Sequence, residues 1–265
     1  MVWAWKRFGD DALVWGAMSL PAFVGIAHGQ DTSVMLAIVI AGYVLAERKQ
    51  DFAAGAVLAL GLIKFNLLLP LPFAMLAARR WRMLGGFSSA GALLAGWSAW
   101  ILGWEGCRRY VSLLRNTGLP GLQPSPELMM NLESIASNLG LGGPWFFVPA
   151  SGAILVLGFL AIREAPLWRW FSGAYITCLL VAPHVYAYNG GMLLLAVWLG
   201  YFRSASKWSR VAATVCGVPL PYLLRFAGDA GAMAIPIALV VFLAALAAEG
   251  RPTSVPRRVS ETACA

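Results

Sequence analysis

Apolar residues run along this chain in long stretches, and polar residues collect in the short intervals between them. Ten apolar stretches can be marked, at about 11–27, 32–46, 52–64, 66–78, 84–103, 145–162, 170–183, 189–202, 210–225 and 230–248. A membrane span takes about 20 residues, so the length permits about eight to ten spans and no sizeable soluble domain. The pattern therefore predicts an all-α fold, a polytopic transmembrane helical bundle of about 10 spans (8–10). It forms a single domain over 1–250, with an outward loop at 104–144 and a disordered cytoplasmic tail at 251–265. The third and fourth stretches are short, and they read either as two short spans or as one span broken around Lys64-Phe65-Asn66.

The charged intervals give the chain a direction. Alternate connections carry Lys6/Arg7, Arg48/Lys49, Arg79/Arg80/Arg82, Arg163/Arg169, Arg203/Lys207/Arg210 and Arg251/Arg257/Arg258, which is 15 of the 20 basic residues. The opposite side holds Lys64, Arg108, Arg109, Arg115 and Arg225. Basic residues favour the cytoplasmic side, so both termini are expected in the cytoplasm of a cell whose plasma membrane the chain crosses. Merging the third and fourth stretches destroys this asymmetry, which favours two short spans. The first 27 residues resemble a signal peptide, but the spans that follow make them an anchor.

Composition agrees. The chain is 60% hydrophobic and 12% charged, with a mean hydropathy of +0.71. A soluble domain runs at about 45–50% apolar and about 25% charged, so a soluble enzyme, a disordered tail and a disulfide-stapled secreted module are all excluded. The net charge of +8 is dispersed in short clusters without a continuous basic face, and nucleic acid is not expected as a partner. Cys178 and Cys216 lie in apolar runs, Cys107 in a loop and Cys264 in the tail; no CxxC spacing points to a metal, and none is expected. Small residues at Gly55/Ala59 and Gly91/Ala95 are expected to let helices approach closely.

The long interval at 104–144 has its own pattern. Trp104 to Asn116 mixes Tyr110, Val111 and Leu114 with Arg108, Arg109 and Arg115, as a segment lying in the headgroup layer does. Turn signals follow at Gly118, Pro120, Gly121 and Pro124. Ser125-Pro126-Glu127 then predicts a helix start, with Ser at the N-cap, and Leu128, Leu132, Ile135 and Leu139 share one face. Gly142-Gly143 and Pro144 are expected to end it.

Polar groups at membrane depth are costly and ask for a reason. Lys64 either snorkels to the outer headgroups or holds a lipid-linked phosphate. His28, Gln30 and Asp31 form either a solvated turn or a site for sugar hydroxyls, in which Asp31 is the candidate base. His184, Tyr186, Tyr188 and Asn189 form a second outward turn. Its tyrosines suit an interfacial belt, while His184 suits phosphate orientation or acid–base work.

These residues resemble glycosyltransferase family 87. The likeness lies in His28-Gly29-Gln30 opening a span, and in Gly55 through Lys64 followed by Pro70, Pro72 and Arg79-Arg80-Trp81-Arg82. It continues in Ala182-Pro183-His184-Val185-Tyr186-Ala187-Tyr188-Asn189, and covers about 15–205. The resemblance implies a GT-C-like membrane protein. Such a protein moves mannose or a related hexose from a polyprenyl-phosphate donor to a glycolipid or glycan acceptor outside the membrane, with no cofactor. It implies that Gln30, Lys64, His184 and Tyr188 line an outward cavity, with Lys64 and His184 toward the donor phosphate. The family's usual acidic outer loop follows an N-terminal span. Only Met1 to Asp10 precede the first stretch here, so the chain reads as the middle and end of a family member. Transfer is then expected to be a single inverting displacement with Asp31 as base. Two other readings stay open: a transporter or flippase for a lipid-linked substrate, and a non-catalytic partner of another membrane transferase.

Overall fold

The structure, a computed structural model, describes residues 1–115, 125–141 and 143–249. It is helical throughout, and the β-type pairing given among the described residues is one isolated antiparallel bridge between Met129 and Tyr186. The chain opens with α1 (Val2–Phe8), α2 (Asp10–Met18) and α3 (Leu20–Ala27), followed by α4 (Thr32–Glu47) and α5 (Asp51–Ala59). A 3₁₀ turn over Leu60–Lys64 leads to α6 (Phe65–Leu68), α7 (Leu71–Ala77) and the long α8 (Trp81–Arg115). Then come α9 (Leu132–Asn138), α10 (Pro144–Ile162), α11 (Leu167–Val181), α12 (Leu193–Arg203), α13 (Lys207–Gly217), α14 (Leu220–Leu224), α15 (Asp229–Ala232) and α16 (Ala234–Ala248).

The apolar stretches and the helices coincide, but length does not follow. Among the described residues, three stretches are long and apolar enough to cross a membrane: Asp51–Leu68, Trp145–Ile162 and Asp229–Ala248. Ten full spans are not found. Ser19 divides the first expected span, where its hydroxyl caps α3. Pro70 separates α6 from α7, and Val218 and Pro219 part α13 from α14. A proline lacks the N–H that would continue the preceding helix. In α8, Gly103 takes φ 65 and ψ 175, and the helix breaks there.

Two helices form the centre. From Arg169 to Leu180 α11 is buried at every residue, and α12 is buried from Leu193 to Gly200. Around them α4, α5, α10 and α16 each turn one face inward. The tightest crossing joins α5 to α8. A methyl added at Gly55 would land on the Met83 carbonyl, and one at Gly86 on the Phe52 carbonyl. Backbone-to-backbone approach of this kind needs glycine on both sides.

The register of that crossing gives the direction of the chain around Lys64. Phe52 lies against Gly86 and Leu62 against Gly91, so α5 and α8 run parallel. The intervening α6 and α7 must carry the chain back, and Lys64, with φ −115 and ψ 63, sits near the reversal. The stretches 52–64 and 66–78 therefore run in opposite directions.

At one end of the bundle the basic connections meet. Glu47 pairs with Arg7 at 2.9 Å and Arg203 at 3.5 Å, and Arg80 stacks on Trp170 at 4.9 Å. Glu249 accepts hydrogen bonds from the Ser204 and Ser209 hydroxyls. The expected helix start at Ser125 is displaced. Pro126–Leu128 is a single 3₁₀ turn, Ser125 makes no side-chain cap, and α9 begins after Asn131, whose Oδ1 accepts from the Ser134 N–H at 3.3 Å. Leu132 and Ile135 face inward, whereas Leu128 and Leu139 are exposed. Gly143 and Pro144 begin α10 rather than end α9. Asn116, Gly118, Pro120, Gly121, Pro124, Gly142 and the tail at 251–265 lie outside the described residues.

Candidate functional site

The other end of the bundle gathers most of the polar residues singled out above. The turn after α3 is closed by backbone bonds: Gly29 takes φ 62, and the Gln30 N–H reaches the Gly25 carbonyl at 2.8 Å. This is the helix-ending geometry that glycine enters without penalty. It delivers Asp31 to the first position before α4. The 3₁₀ tightening at the end of α5 delivers Lys64 from the opposite side. The two side chains form an ion pair.

Lys64 is held from a third direction by the turn at 187–192. Its Nζ donates to Asn189 Oδ1 at 3.4 Å and lies 5.5 Å from the centre of the Tyr188 ring. Tyr188 in turn stacks on Tyr186, with ring centres 5.7 Å apart. The Lys64 side chain is 18% exposed and that of Asp31 39%. A mostly covered ammonium thus opens to the exterior beside a carboxylate. Burial raises the Tyr188 phenol above its ordinary range, and Tyr186 and Asp31 add to the rise by opposing a phenolate. Tyr188 is therefore a neutral phenol, able to donate a hydrogen bond.

The turn that carries these groups is clamped. Asn66 Nδ2 donates to the His184 carbonyl at 3.2 Å. Asn131, fully buried, donates to the Ala182 carbonyl at 2.6 Å. The Met130 N–H reaches the Val185 carbonyl at 2.7 Å. Buried carbonyls in a non-helical stretch need such partners.

The expected residues do not all converge. Asp31, Lys64, Tyr188 and Asn189 form one cluster, and Tyr186 supports it by stacking. His28 is exposed, and its Nδ1 donates to the Val24 carbonyl of its own helix at 2.9 Å. Gln30 takes part through its backbone in the turn. His184 is half-buried and lies close enough to Glu133 to act on its carboxyl. Burial raises the Glu133 carboxyl, and His184 pulls it part of the way back. Sequence reasoning missed Asn66, Asn131 and Glu133. The signal for the last two was the Asn131-Leu132-Glu133-Ser134 run, an N-cap followed by an acid in the first turn. Among the described residues no three His, Cys, Asp or Glu side chains gather as metal ligands would.

The arrangement offers one cation for an anionic group, one carboxylate beside it, and neutral amide and phenol donors for hydroxyls. No curated protein and no solved structure matches the chain. A sequence model of glycosyltransferase family 87 does, over residues 1–183. That span takes in Asp31 and Lys64 and stops one residue short of His184. It extends over most of the chain, and with the helical membrane architecture it places this protein in glycosyltransferase family 87.

Proposed function

We propose that this chain moves a hexose, mannose first among them, from a polyprenyl-phosphate donor to a lipid or glycan acceptor at the outer face of the plasma membrane. Family membership implies a membrane glycosyltransferase; the donor, sugar and acceptor are the proposal. The observation that carries it is Lys64, brought by the reversal after α5 to Asp31, Tyr188 and Asn189.

A phosphate competes with Asp31 for the Lys64 ammonium. As it takes over that charge, the carboxylate is released beside the reacting centre. Asp31 then accepts the proton of the acceptor hydroxyl, and the acceptor oxygen bonds to the anomeric carbon. The bond from that carbon to the phosphate oxygen breaks, and its electron pair leaves on polyprenyl phosphate, whose charge Lys64 balances. One displacement inverts the anomeric centre. Tyr188 and Asn189 offer hydroxyl and amide groups to the sugar.

The test is transfer of label from polyprenyl-phosphate mannose in membranes holding the full chain. Lys64→Ala is expected to weaken donor binding by about 10- to 100-fold, the worth of a charge-assisted contact. Asp31→Asn is expected to retain donor binding and lose about 100- to 10,000-fold in turnover. Donor bound without any turnover by the parent chain would favour a carrier of lipid-linked sugar instead. Equal behaviour of all three chains would remove Lys64 and Asp31 from the site.

A further inference from the structure

Asp31 and Lys64 mark one polar level of the bundle, and Glu47 marks the other. Between them α4 runs as one helix of 16 residues, about 24 Å at the helical rise. The same length recurs beside it: from Asn189, which holds Lys64, through α12 to Arg203, which pairs with Glu47, is about 24 Å. From Asp51 to Lys64, α5 and its closing 3₁₀ turn cover about 23 Å. The hydrocarbon core of a bilayer is about 30 Å thick. Elsewhere the match is closer. The stretches Trp145–Ile162 in α10 and Asp229–Ala248 in α15 and α16 hold 18 and 20 residues, about 27 and 30 Å.

The short passes fall about 6 Å below the bilayer's thickness. The basic connections hold the Glu47 end at its headgroups, so the shortfall lies at the Lys64 end. The polar cluster cannot make it up. Lys64 does not extend toward headgroups, because its Nζ is held by Asp31 and Asn189. Aspartate and asparagine lack the long apolar stem that lets a lysine reach an interface. The neighbours at the same level are apolar and exposed: Leu60 and Ile63 just before Lys64, Ile26 just before the His28 turn, and Val34 just after Asp31. Such a belt suits lipid tails, while an ion pair beside it needs headgroups.

We propose that the leaflet on the Lys64 side dips around α3, α4 and α5, so that the bilayer is about 6 Å thinner there than beside α10 and α16. A bilayer meets a short apolar stretch by thinning around it. The lipid tails then cover Ile26, Val34, Leu60 and Ile63, and the phosphate layer stands level with the Lys64–Asp31 pair. The partner of this surface is the bilayer itself, and lipid phosphates come to Lys64 sideways from the leaflet. The inference needs the two polar ends to face opposite sides of a membrane; it does not need sugar transfer.

The test reads depth. A chain lacking Cys107 and Cys264 carries a nitroxide at Ile63→Cys or Ile26→Cys, in vesicles of dimyristoleoyl- or dioleoyl-phosphatidylcholine. Power saturation with oxygen and with a water-soluble nickel chelate places each label relative to the phosphates. Both labels are expected near the phosphate level in the thinner dimyristoleoyl bilayer, and to stay there in dioleoyl. A label at Val156→Cys, exposed on α10, is expected in hydrocarbon in both. A move of the Ile63 and Ile26 labels into hydrocarbon on passing to dioleoyl overturns the inference. Water-level readings at Val156 take down the membrane reading, and the inference with it. The full parent chain gives a second reading. A water-soluble carbodiimide is expected to join the Asp31 carboxyl to the Lys64 amine at equal rates in the two lipids, and a several-fold lower rate in dioleoyl overturns the inference. That reading needs no substitution, so a misfolded variant does not decide the result.

Discussion

Single side chains hold the two outward turns together. Asn131 is fully buried and uses both ends of its amide, donating to the Ala182 carbonyl and accepting from the Ser134 N–H. Replacing it with Ala leaves both partners buried and unmet, at a cost of about 1–3 kcal/mol each where water cannot enter. Asn131→Asp keeps the cap of α9 but sets an oxygen against the Ala182 carbonyl. Both variants are expected to melt lower than the parent in the same detergent and to transfer less sugar, and an unchanged melting point for Asn131→Asp would refute the clamp. Lys64, Asp31, Tyr188 and Asn189 were legible in sequence, because polar groups at the ends of apolar runs stand out. Asn131 was not, because its partner is 51 residues away and nothing local announces a contact at that distance. His28 stands apart from that cluster: its ring is exposed and its Nδ1 is satisfied on its own helix.

Helices locate themselves by their closest crossings. Gly55 and Gly86 let α5 and α8 meet backbone to backbone, and Gly96 on the same α8 has open space where its side chain would be. Gly55→Ala and Gly86→Ala are therefore expected to cost about 1–3 kcal/mol or more through overpacking. Gly96→Ala removes only helix-interior glycine and is expected to leave stability unchanged or raised. Thermal melting of the three variants in one detergent checks this; a Gly96→Ala loss equal to that of Gly86→Ala would refute it. The sequence shows that Gly55 has a packing role, because small residues recur at helical spacing. It does not show the partner, since Gly86 is one of several glycines on α8. Helix starts were less legible than helices. Ser125-Pro126 carries every mark of a cap, but only one 3₁₀ turn follows, and the Asn131 cap six residues later starts α9.

At the scale of the molecule, the two ends of the bundle are chemically different. Arg7, Glu47, Arg203 and Glu249 lie at one end, and Asp31, Lys64, Asn189 and Asn131 at the other. The alternation of basic connections made this division legible, because charge along the chain is a whole-molecule signal that no single helix needs to report. It predicts sidedness. In a chain lacking Cys107 and Cys264, a cysteine at Ser137 is expected to react with an impermeant maleimide from outside intact cells, and one at Lys207 only after permeabilisation. The reverse pattern would put the Lys64 cluster in the cytoplasm and end the outer-face reading. Span number was less legible, because apolar runs do not reveal where a capping serine, a proline or a left-handed glycine will divide them. Beyond Gly91, α8 leaves the bundle: Leu93 is 75% exposed, Trp97 61%, Trp100 74% and Trp104 80%. Among the described residues no protein layer finishes that surface, and hydrocarbon suits it. The free energy of folding is then shared between polypeptide and amphiphile, and it has no single value until the amphiphile is named.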